Sequence, residues 1–194
     1  MNKPKIAFDI DNTLAECGKA VNKVLDACGF NPDWYHSSYD FLDTIDKQHH
    51  KPAKAIINTL FDHPPFFANL EPISGALTAL RYLHVNEYAD CYITARRYVH
   101  HKTTLAWLKK HDFPELPLYT DAHAADKAEI ALKRGCNTLV DDHVDNARAA
   151  IEAGLHAILP LRSYNKNFHH AHANHIFMED LPHLLSYTKV WGIA

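Results

Sequence analysis

Lys5-Ile6-Ala7-Phe8-Asp9-Ile10-Asp11-Asn12-Thr13 is the stretch that decides the fold class. Its first four residues form a short, largely apolar run that suits a buried β-strand, and the run ends in two acidic residues. In parallel sheets, ligands bind at the carboxyl ends of the strands. We therefore expect a first strand at residues 5–8 and two functional carboxylates, Asp9 and Asp11, at its end.

Strands alternate with helices over the later part of the chain. Strand candidates lie at residues 91–93, 116–119, 138–140 and 155–161. Helical patterns lie between them, and Ser74 is expected to cap the helix that precedes the first of them. This alternation predicts an α/β fold with a Rossmann-like, doubly wound parallel sheet.

Residues 15–70 differ from this pattern and predict a small helical cap inserted after the first strand. Two stretches, around residues 21–28 and 53–60, have helical apolar spacing, and Pro64-Pro65 is expected to end the second. The core is then formed by residues 1–14 and 71–194. Aromatic residues of the insertion could stack on a nucleobase or form the cap's own core: Trp34, Tyr35, Tyr39, Phe41, Phe61, Phe66 and Phe67.

Composition excludes several classes of protein. The 194 residues are 47% hydrophobic and 22% charged, as in ordinary globular proteins. The net charge of -3 argues against a polymeric nucleic acid as partner, and no stretch approaches the roughly 20 apolar residues of a membrane span. Four widely separated cysteines, without a signal-peptide pattern, predict a cytoplasmic location with neither a zinc site nor a disulfide framework.

The two acids after the first strand have complementary chemical uses. A carboxylate beside a divalent cation can attack phosphorus, and a second one can protonate the leaving oxygen and later activate water. We therefore predict Asp9 as the nucleophile and Asp11 as the general acid and base, although Asp-Asn-Thr is also a common turn sequence.

Two further acids, Asp141 and Asp142, follow the strand at 138–140. Adjacent carboxylates repel each other unless they share a cation, so a metal site is expected rather than a helix cap alone. Hard oxygen ligands favour Mg²⁺. The predicted ligands are the carboxylates of Asp9 and Asp142 and the main-chain carbonyl of Asp11. Asp142 is predicted to bind the metal directly and Asp141 to support it, although these two roles could be exchanged.

Three other polar residues could contact a phosphate. Thr94 could donate its hydroxyl to a phosphoryl oxygen or cap the following helix. Lys127 could neutralise developing charge and hold Asp9, or be an ordinary solvated helix lysine. Arg96 could clamp a phosphate with two bonds or be a surface cation.

These motifs, in this order, resemble those of the haloacid dehalogenase-like (HAD) phosphohydrolases over roughly residues 5–162. The segment FDIDNTLA resembles the DxDxT first motif, Ile93-Thr94-Ala95-Arg96 the second, Lys127 the third and Val140-Asp141-Asp142 the fourth. The resemblance implies a Rossmann-like core, Mg²⁺ and an aspartyl-phosphate intermediate. It also implies that Thr94, Ala95, Arg96 and Lys127 lie at the phosphate.

The place of the insertion is similar to that of a C1-type cap. Together with the second and fourth motifs and the segment Leu161-Arg162-Ser163-Tyr164-Asn165, it resembles the 5′(3′)-deoxyribonucleotidase group and related nucleotidases. This resemblance implies a small phosphorylated substrate, a nucleoside monophosphate, and is compatible with a homodimer.

Other activities remain open from the sequence: hydrolysis of a sugar phosphate, a phosphomutase reaction, dehalogenation of a small acid, and non-catalytic binding of a phosphorylated ligand. Asp11 argues against dehalogenation, because a halide needs no proton. A binding module gains little from a nucleophile beside a metal. His169-His170-Ala171-His172 and His175 could bind a transition metal, but a solvated loop is predicted because no cysteine or acidic cluster is near.

Overall fold

The computed structural model describes residues 3–33, 39–169, 175–178 and 183. The strands are β1 (Ile6–Phe8), β2 (Ala89–Ile93), β3 (Leu118–Tyr119), β4 (Thr138–Val140), β5 (His156–Pro160) and β6 (His175–Met178). The helices are α1 (Cys17–Ala27), α2 (His50–Asp62), α3 (Pro64–Ala68), α4 (Ala76–Val85), α5 (His101–Lys110), α6 (Ala124–Lys133) and α7 (Val144–Glu152).

The described strands form one parallel sheet in the order β3-β2-β1-β4-β5-β6. Strands β2 and β3 lie on one side of β1, and β4, β5 and β6 lie on the other. The order therefore reverses between β1 and β4, and ligands bind at such a switch point in open α/β sheets. The predicted α/β, Rossmann-like fold is confirmed, and the two acidic motifs follow the two strands that flank the switch point.

Each face of the sheet is covered by helices. Ile6 and Phe8 point into a cluster that contains Leu80 of α4 and Trp107 of α5. Ala7, between them, points to the opposite face, into a cluster with residues of α6 and α7. This alternation follows from the two-residue repeat of a strand, and burial on both faces explains why β1 is apolar throughout.

The segment between β1 and α4 has a small hydrophobic core of its own. Val21 and Leu25 of α1 pack with Ile45 and with Ala53 and Ile57 of α2. Burial of these apolar stripes holds the two helices together. The cap and its boundaries at residues 15–70 stay a prediction.

Two helix ends differ from what the sequence predicted. Gly75, in a left-handed conformation with φ 78°, precedes α4, and no side chain caps that helix, so the prediction for Ser74 is wrong. Pro64 follows α2 but also begins α3, because the first turn of a helix needs no N–H from proline.

The strand β6 was not predicted. It begins at His175 and pairs in parallel with β5, with His175 opposite Ala157. The loop prediction is therefore wrong at His175, where backbone pairing with β5 determines the structure. His170 and His172 lie outside the described residues.

Candidate active site

Asp9 is the first residue after β1, and its backbone N–H still pairs with the carbonyl of Val140 at 2.9 Å. The chain then turns sharply through Asn12, which has a left-handed φ of 58° that asparagine tolerates. The Asn12 side chain accepts a hydrogen bond from the N–H of Gly18 at 2.6 Å and so ties the turn to the start of α1. Asp9 is only 4% exposed.

Lys127 reaches from α6 to the end of β1 and β4. Its ammonium donates to Asp9 Oδ1 at 2.6 Å and to Asp141 Oδ2 at 2.7 Å. Burial alone would lower the pKa of Lys127, but Asp141 and Asp9 outweigh it and raise the pKa. The lysine is buried and charged, unlike Lys133 on the same helix, whose side chain is 71% exposed.

Asp141 is saturated with protein donors. It accepts from Lys127, from the N–H of His143 at 2.9 Å, and from the Asn146 amide, which lies 2.9 Å from each carboxylate oxygen. Asn146 therefore holds Asp141 in place, a role that the sequence did not predict. Asp145, by contrast, is exposed and pairs with Arg148 at 2.7 Å.

Asp142 has fewer strong partners on its carboxylate. Thr13 Oγ1 lies 3.4 Å from Oδ1, and the Tyr164 hydroxyl donates to Oδ2. Burial, with Asp141 beside it, raises the pKa of Asp142 to about 7. Burial also raises the pKa of Asp9 well above its ordinary value, although Lys127 opposes this.

Asp9, Asp141 and Asp142 form a group that could hold a metal ion, since one ligand oxygen from each lies within 4.8 Å of the others. All three are buried, and one lysine, Lys127, pairs with Asp9 and Asp141, so the group keeps an excess of negative charge. The raised pKa values of Asp9 and Asp142 reflect this environment. Buried carboxylates of this kind are stabilised by a cation, and their oxygens suit a hard divalent one.

Arg96 is buried at 4% exposure and binds Asp11 with two hydrogen bonds, of 2.9 and 2.7 Å. A third nitrogen lies 3.3 Å from Thr104 Oγ1, and the guanidinium carbon lies 4.6 Å from the centre of the Phe67 ring. Burial would lower the pKa of Arg96, but Asp11 raises it. The guanidinium is thus not a surface cation, and its role as a phosphate clamp stays a prediction.

Thr94 is the first residue after β2 and is buried at 1% exposure. Its hydroxyl oxygen accepts from the N–H of Arg96 at 3.2 Å, which is a local turn contact rather than a cap of α5. Thr94 and the exposed Ala95 line the same cavity as the four acids. The structure therefore brings every predicted site residue to one edge of the sheet: Asp9, Asp11, Thr94, Ala95, Arg96, Lys127, Asp141 and Asp142.

The cavity has a volume of about 590 Å³, in the range of small-molecule sites. The ends of the strands form its polar floor. Residues between β1 and α4 form the opposite wall, with Lys54, Ile57, Asn58 and Phe61 in the helical spacing of one face of α2. Of the predicted cap aromatics, those on the cavity are Tyr39, Phe41, Phe61 and Phe67, while Trp34 and Tyr35 lie outside the described residues.

The structure also brings Cys91 and Cys136 together beside Asp90, on the face of the sheet covered by α6 and α7. All four cysteines are free thiols, and a hydrogen bond with Cys136 together with burial raises the pKa of Cys91. Asp90 is bound by Lys5 at 2.9 Å and Arg134 at 2.8 Å. These two cations already neutralise the carboxylate, which disfavours a metal ion at this group.

Comparison with known proteins identifies the family. A sequence profile described as 5′ nucleotidase, deoxy (Pyrimidine), cytosolic type C protein matches residues 3–184. The chain belongs to this family. As a member of the type C nucleotidase family it is a phosphoric monoester hydrolase of the HAD-like type with a small phosphorylated substrate, and the predicted family resemblance is confirmed.

Solved structures agree in fold with this member of the type C nucleotidase family. A haloacid dehalogenase-like hydrolase from Streptococcus pneumoniae has 14% identity and a TM-score of 0.64, over 96% of this chain and 99% of that chain. A HAD family hydrolase from Deinococcus radiodurans R1, with bound phosphate and sodium, has 14% identity and a TM-score of 0.62, over 99% of this chain and 98% of that chain. A predicted phosphoglycolate phosphatase from Haemophilus somnus 129pt has 19% identity and a TM-score of 0.60, over 97% of this chain and 99% of that chain.

A search of curated protein sequences found no match to the chain. Among the described residues, no helix has both the length and the apolar character needed to cross a bilayer. The cytoplasmic location and the homodimer stay predictions.

Proposed function

We propose that the chain is a magnesium-dependent phosphomonoesterase that hydrolyses a nucleoside monophosphate through an aspartyl phosphate on Asp9. The observation that carries this proposal is the buried group of Asp9, Asp141 and Asp142, which opens on a cavity that Asp11 also lines. Lys127 bridges Asp9 and Asp141 within this group. This grouping supports Asp9 as the nucleophile, Lys127 as the charge neutraliser and Asp11 as the acid–base residue.

The metal ligands are proposed from the partners of each acid. Asp141 is engaged by Lys127, His143 and Asn146, which supports an indirect role. The carboxylate of Asp142 accepts fewer hydrogen bonds, and Lys127 binds only one oxygen of Asp9. We therefore propose Asp9 and Asp142 as direct ligands, together with the main-chain carbonyl of Asp11. When bound, Mg²⁺ supplies positive charge to phosphoryl oxygens and to the attacking carboxylate.

Catalysis is proposed in two steps. The Asp9 carboxylate forms a bond to phosphorus as the bond to the leaving oxygen breaks, and Asp11 gives that oxygen a proton. Asp11 then takes a proton from water, whose oxygen attacks phosphorus, so that inorganic phosphate leaves and the Asp9 carboxylate is restored. Lys127 keeps Asp9 oriented throughout, and Thr94, which lines the cavity, donates its hydroxyl to a phosphoryl oxygen.

The nucleotide part of the proposal rests on the cavity wall and the family. Tyr39, Phe41 and Phe61 offer aromatic faces to a base, and Lys54 and Asn58 offer polar groups to its edge. The family description names a pyrimidine deoxyribonucleotide, which makes deoxypyrimidine monophosphates the first substrates to test. We further propose residues 15–70 as the cap that contributes this wall.

Release of phosphate from deoxypyrimidine and other nucleoside monophosphates, sugar phosphates and p-nitrophenyl phosphate, with Mg²⁺ or with EDTA, tests the proposal. We expect nucleotides to be hydrolysed best and EDTA to stop the reaction. Asp9→Asn should abolish turnover, while Asp112→Asn, at an exposed position outside the cavity lining, should not. An active Asp9→Asn protein would refute the mechanism, and activity on sugar phosphates alone would refute the substrate class.

A further inference from the structure

The turn after β5, residues 161–165, contacts both acidic loops of the site. Arg162 donates to the main-chain carbonyl of Asn12 with two nitrogens, at 3.1 and 2.6 Å. Tyr164 donates its hydroxyl to the carboxylate of Asp142, and Asn165 donates to the Asp142 carbonyl at 2.9 Å. One short segment thus joins the loop that carries Asp9 and Asp11 to the loop that carries Asp142.

The turn is itself rigidly held. The Asn165 amide also donates to the Pro160 carbonyl at 2.8 Å, and its side-chain oxygen accepts from the N–H of Arg162 at 2.8 Å. Asn165 is completely buried. These bonds hold the backbone on both sides of Tyr164, whose hydroxyl reaches Asp142.

The contact of Tyr164 has a definite chemical direction. A carboxylate that binds a cation is ionised and only accepts hydrogen bonds, so the phenol is the donor, and its bond occupies one of the two oxygens of Asp142. The other oxygen faces the weaker contact with Thr13, at 3.4 Å. The phenol therefore selects which oxygen of Asp142 is left for a cation.

The Tyr164 ring is also covered from the opposite wall of the cavity. The ring of Tyr39 lies edge-on to that of Tyr164, with centroids 5.3 Å apart, and edge-on to His143 at 4.0 Å. Since the Tyr164 ring packs against Tyr39, removal of the hydroxyl alone separates hydrogen bonding from packing.

We propose that Tyr164 is a positioning residue that orients the carboxylate of Asp142 for a divalent cation, with the 161–165 turn fixing the distance between the two acidic loops. The inference rests on the proposed function, since it assumes that Asp142 is a metal ligand. Partners that orient metal ligands typically contribute about 10-fold to 100-fold to metal affinity or activity.

The test is Tyr164→Phe, which keeps the ring and its contact with Tyr39 and removes only the donor. Mn²⁺ binding to the substrate-free protein is measured by electron paramagnetic resonance or calorimetry, so that the readout does not depend on turnover. We expect the dissociation constant to rise about 10-fold to 100-fold, and kcat to recover at saturating metal. Thermal unfolding in EDTA measures separately the stability that is lost with the hydrogen bond itself.

Two variants serve as controls. Tyr82→Phe removes a hydroxyl from an exposed tyrosine on α4, outside the cavity lining, and should bind Mn²⁺ like the parent. Asp142→Asn should bind it far more weakly. If the parent binds no Mn²⁺, the metal dependence in the proposed function and the positioning role both fall. If Asp142→Asn loses binding but Tyr164→Phe matches the parent, only the positioning role falls.

Discussion

Arg96 and Asp11 lie 85 residues apart in the chain and form an ion pair with two parallel hydrogen bonds at the edge of the sheet. The arginine side chain is 1% exposed and the aspartate side chain 23% exposed. The planar fork of arginine fixes the carboxylate in one orientation, which a lysine cannot do. This pair gives the proposed acid–base residue its position relative to Asp9.

Arg96→Lys should therefore impair catalysis and stability together. The lysine keeps the charge but loses one bond to Asp11 and the contact with Phe67. We expect kcat to fall by up to about a hundredfold, because small misplacements of a catalytic group have effects of this size. The free energy of unfolding in urea should fall by about 1–3 kcal/mol. Arg81→Lys, at an exposed arginine on α4, should change neither quantity.

Lys127→Met should strongly destabilise the metal-free protein. The substitution leaves Asp9 and Asp141 buried without their shared cation, and removal of one partner from a buried ion pair typically costs about 3–5 kcal/mol. Lys133→Met, at the exposed end of the same helix, should change stability by less than about 0.5 kcal/mol. Equal losses in the two variants, measured by urea unfolding in EDTA, would contradict the structural role of Lys127.

Asp142→Asn should stabilise the protein without metal and abolish its stabilisation by metal. Neutralising Asp142 relieves repulsion from Asp141 and Asp9 in a buried site, which we expect to add about 1–2 kcal/mol in EDTA. For the parent, Mg²⁺ at a hundred times its dissociation constant should add about 2.7 kcal/mol. The check is urea unfolding of both proteins with EDTA and with MgCl₂. A variant that still gains stability from Mg²⁺ would show that Asp142 is not a ligand.

Asp90→Asn should lower stability at neutral pH and much less in acid. Burial would raise the pKa of Asp90, but hydrogen bonds from Lys5 and Arg134 outweigh it and lower the pKa. The pKa of Asp90 in the folded protein is therefore below the unfolded value of about 3.9, so its contribution to folding stability is complete above that pH. This stabilisation is lost as the pH falls through the folded-state pKa.

We expect a loss of about 1–2 kcal/mol on unfolding Asp90→Asn at pH 7, since both cations are partly exposed. The difference from the parent should shrink towards pH 3. Asp112→Asn is the matched control, because the Asp112 side chain is exposed and its carboxylate lies 3.8 Å from Arg81. A pH-independent loss would show that the amide disturbs packing rather than an ion pair.

Local sequence patterns predicted the sheet and the place of the site well. Apolar runs that end in Asp9, Thr94 and Asp141 marked three strands, and the carboxyl ends of parallel strands necessarily meet at one edge. The strand at His175 was missed because pairing with β5 determines it, while its surrounding sequence is polar.

The sequence by itself determined the buried strand before Asp9, the α/β class and the chemical types of the groups at the sheet edge, because short-range periodicity and strand ends are local properties. Only the tertiary structure decided the partners of those groups. It pairs Arg96 with Asp11, inserts Lys127 between Asp9 and Asp141, and brings Tyr164 to Asp142. These contacts join residues distant in the chain, and they depend on how strands and helices pack rather than on the order of residues in any one segment.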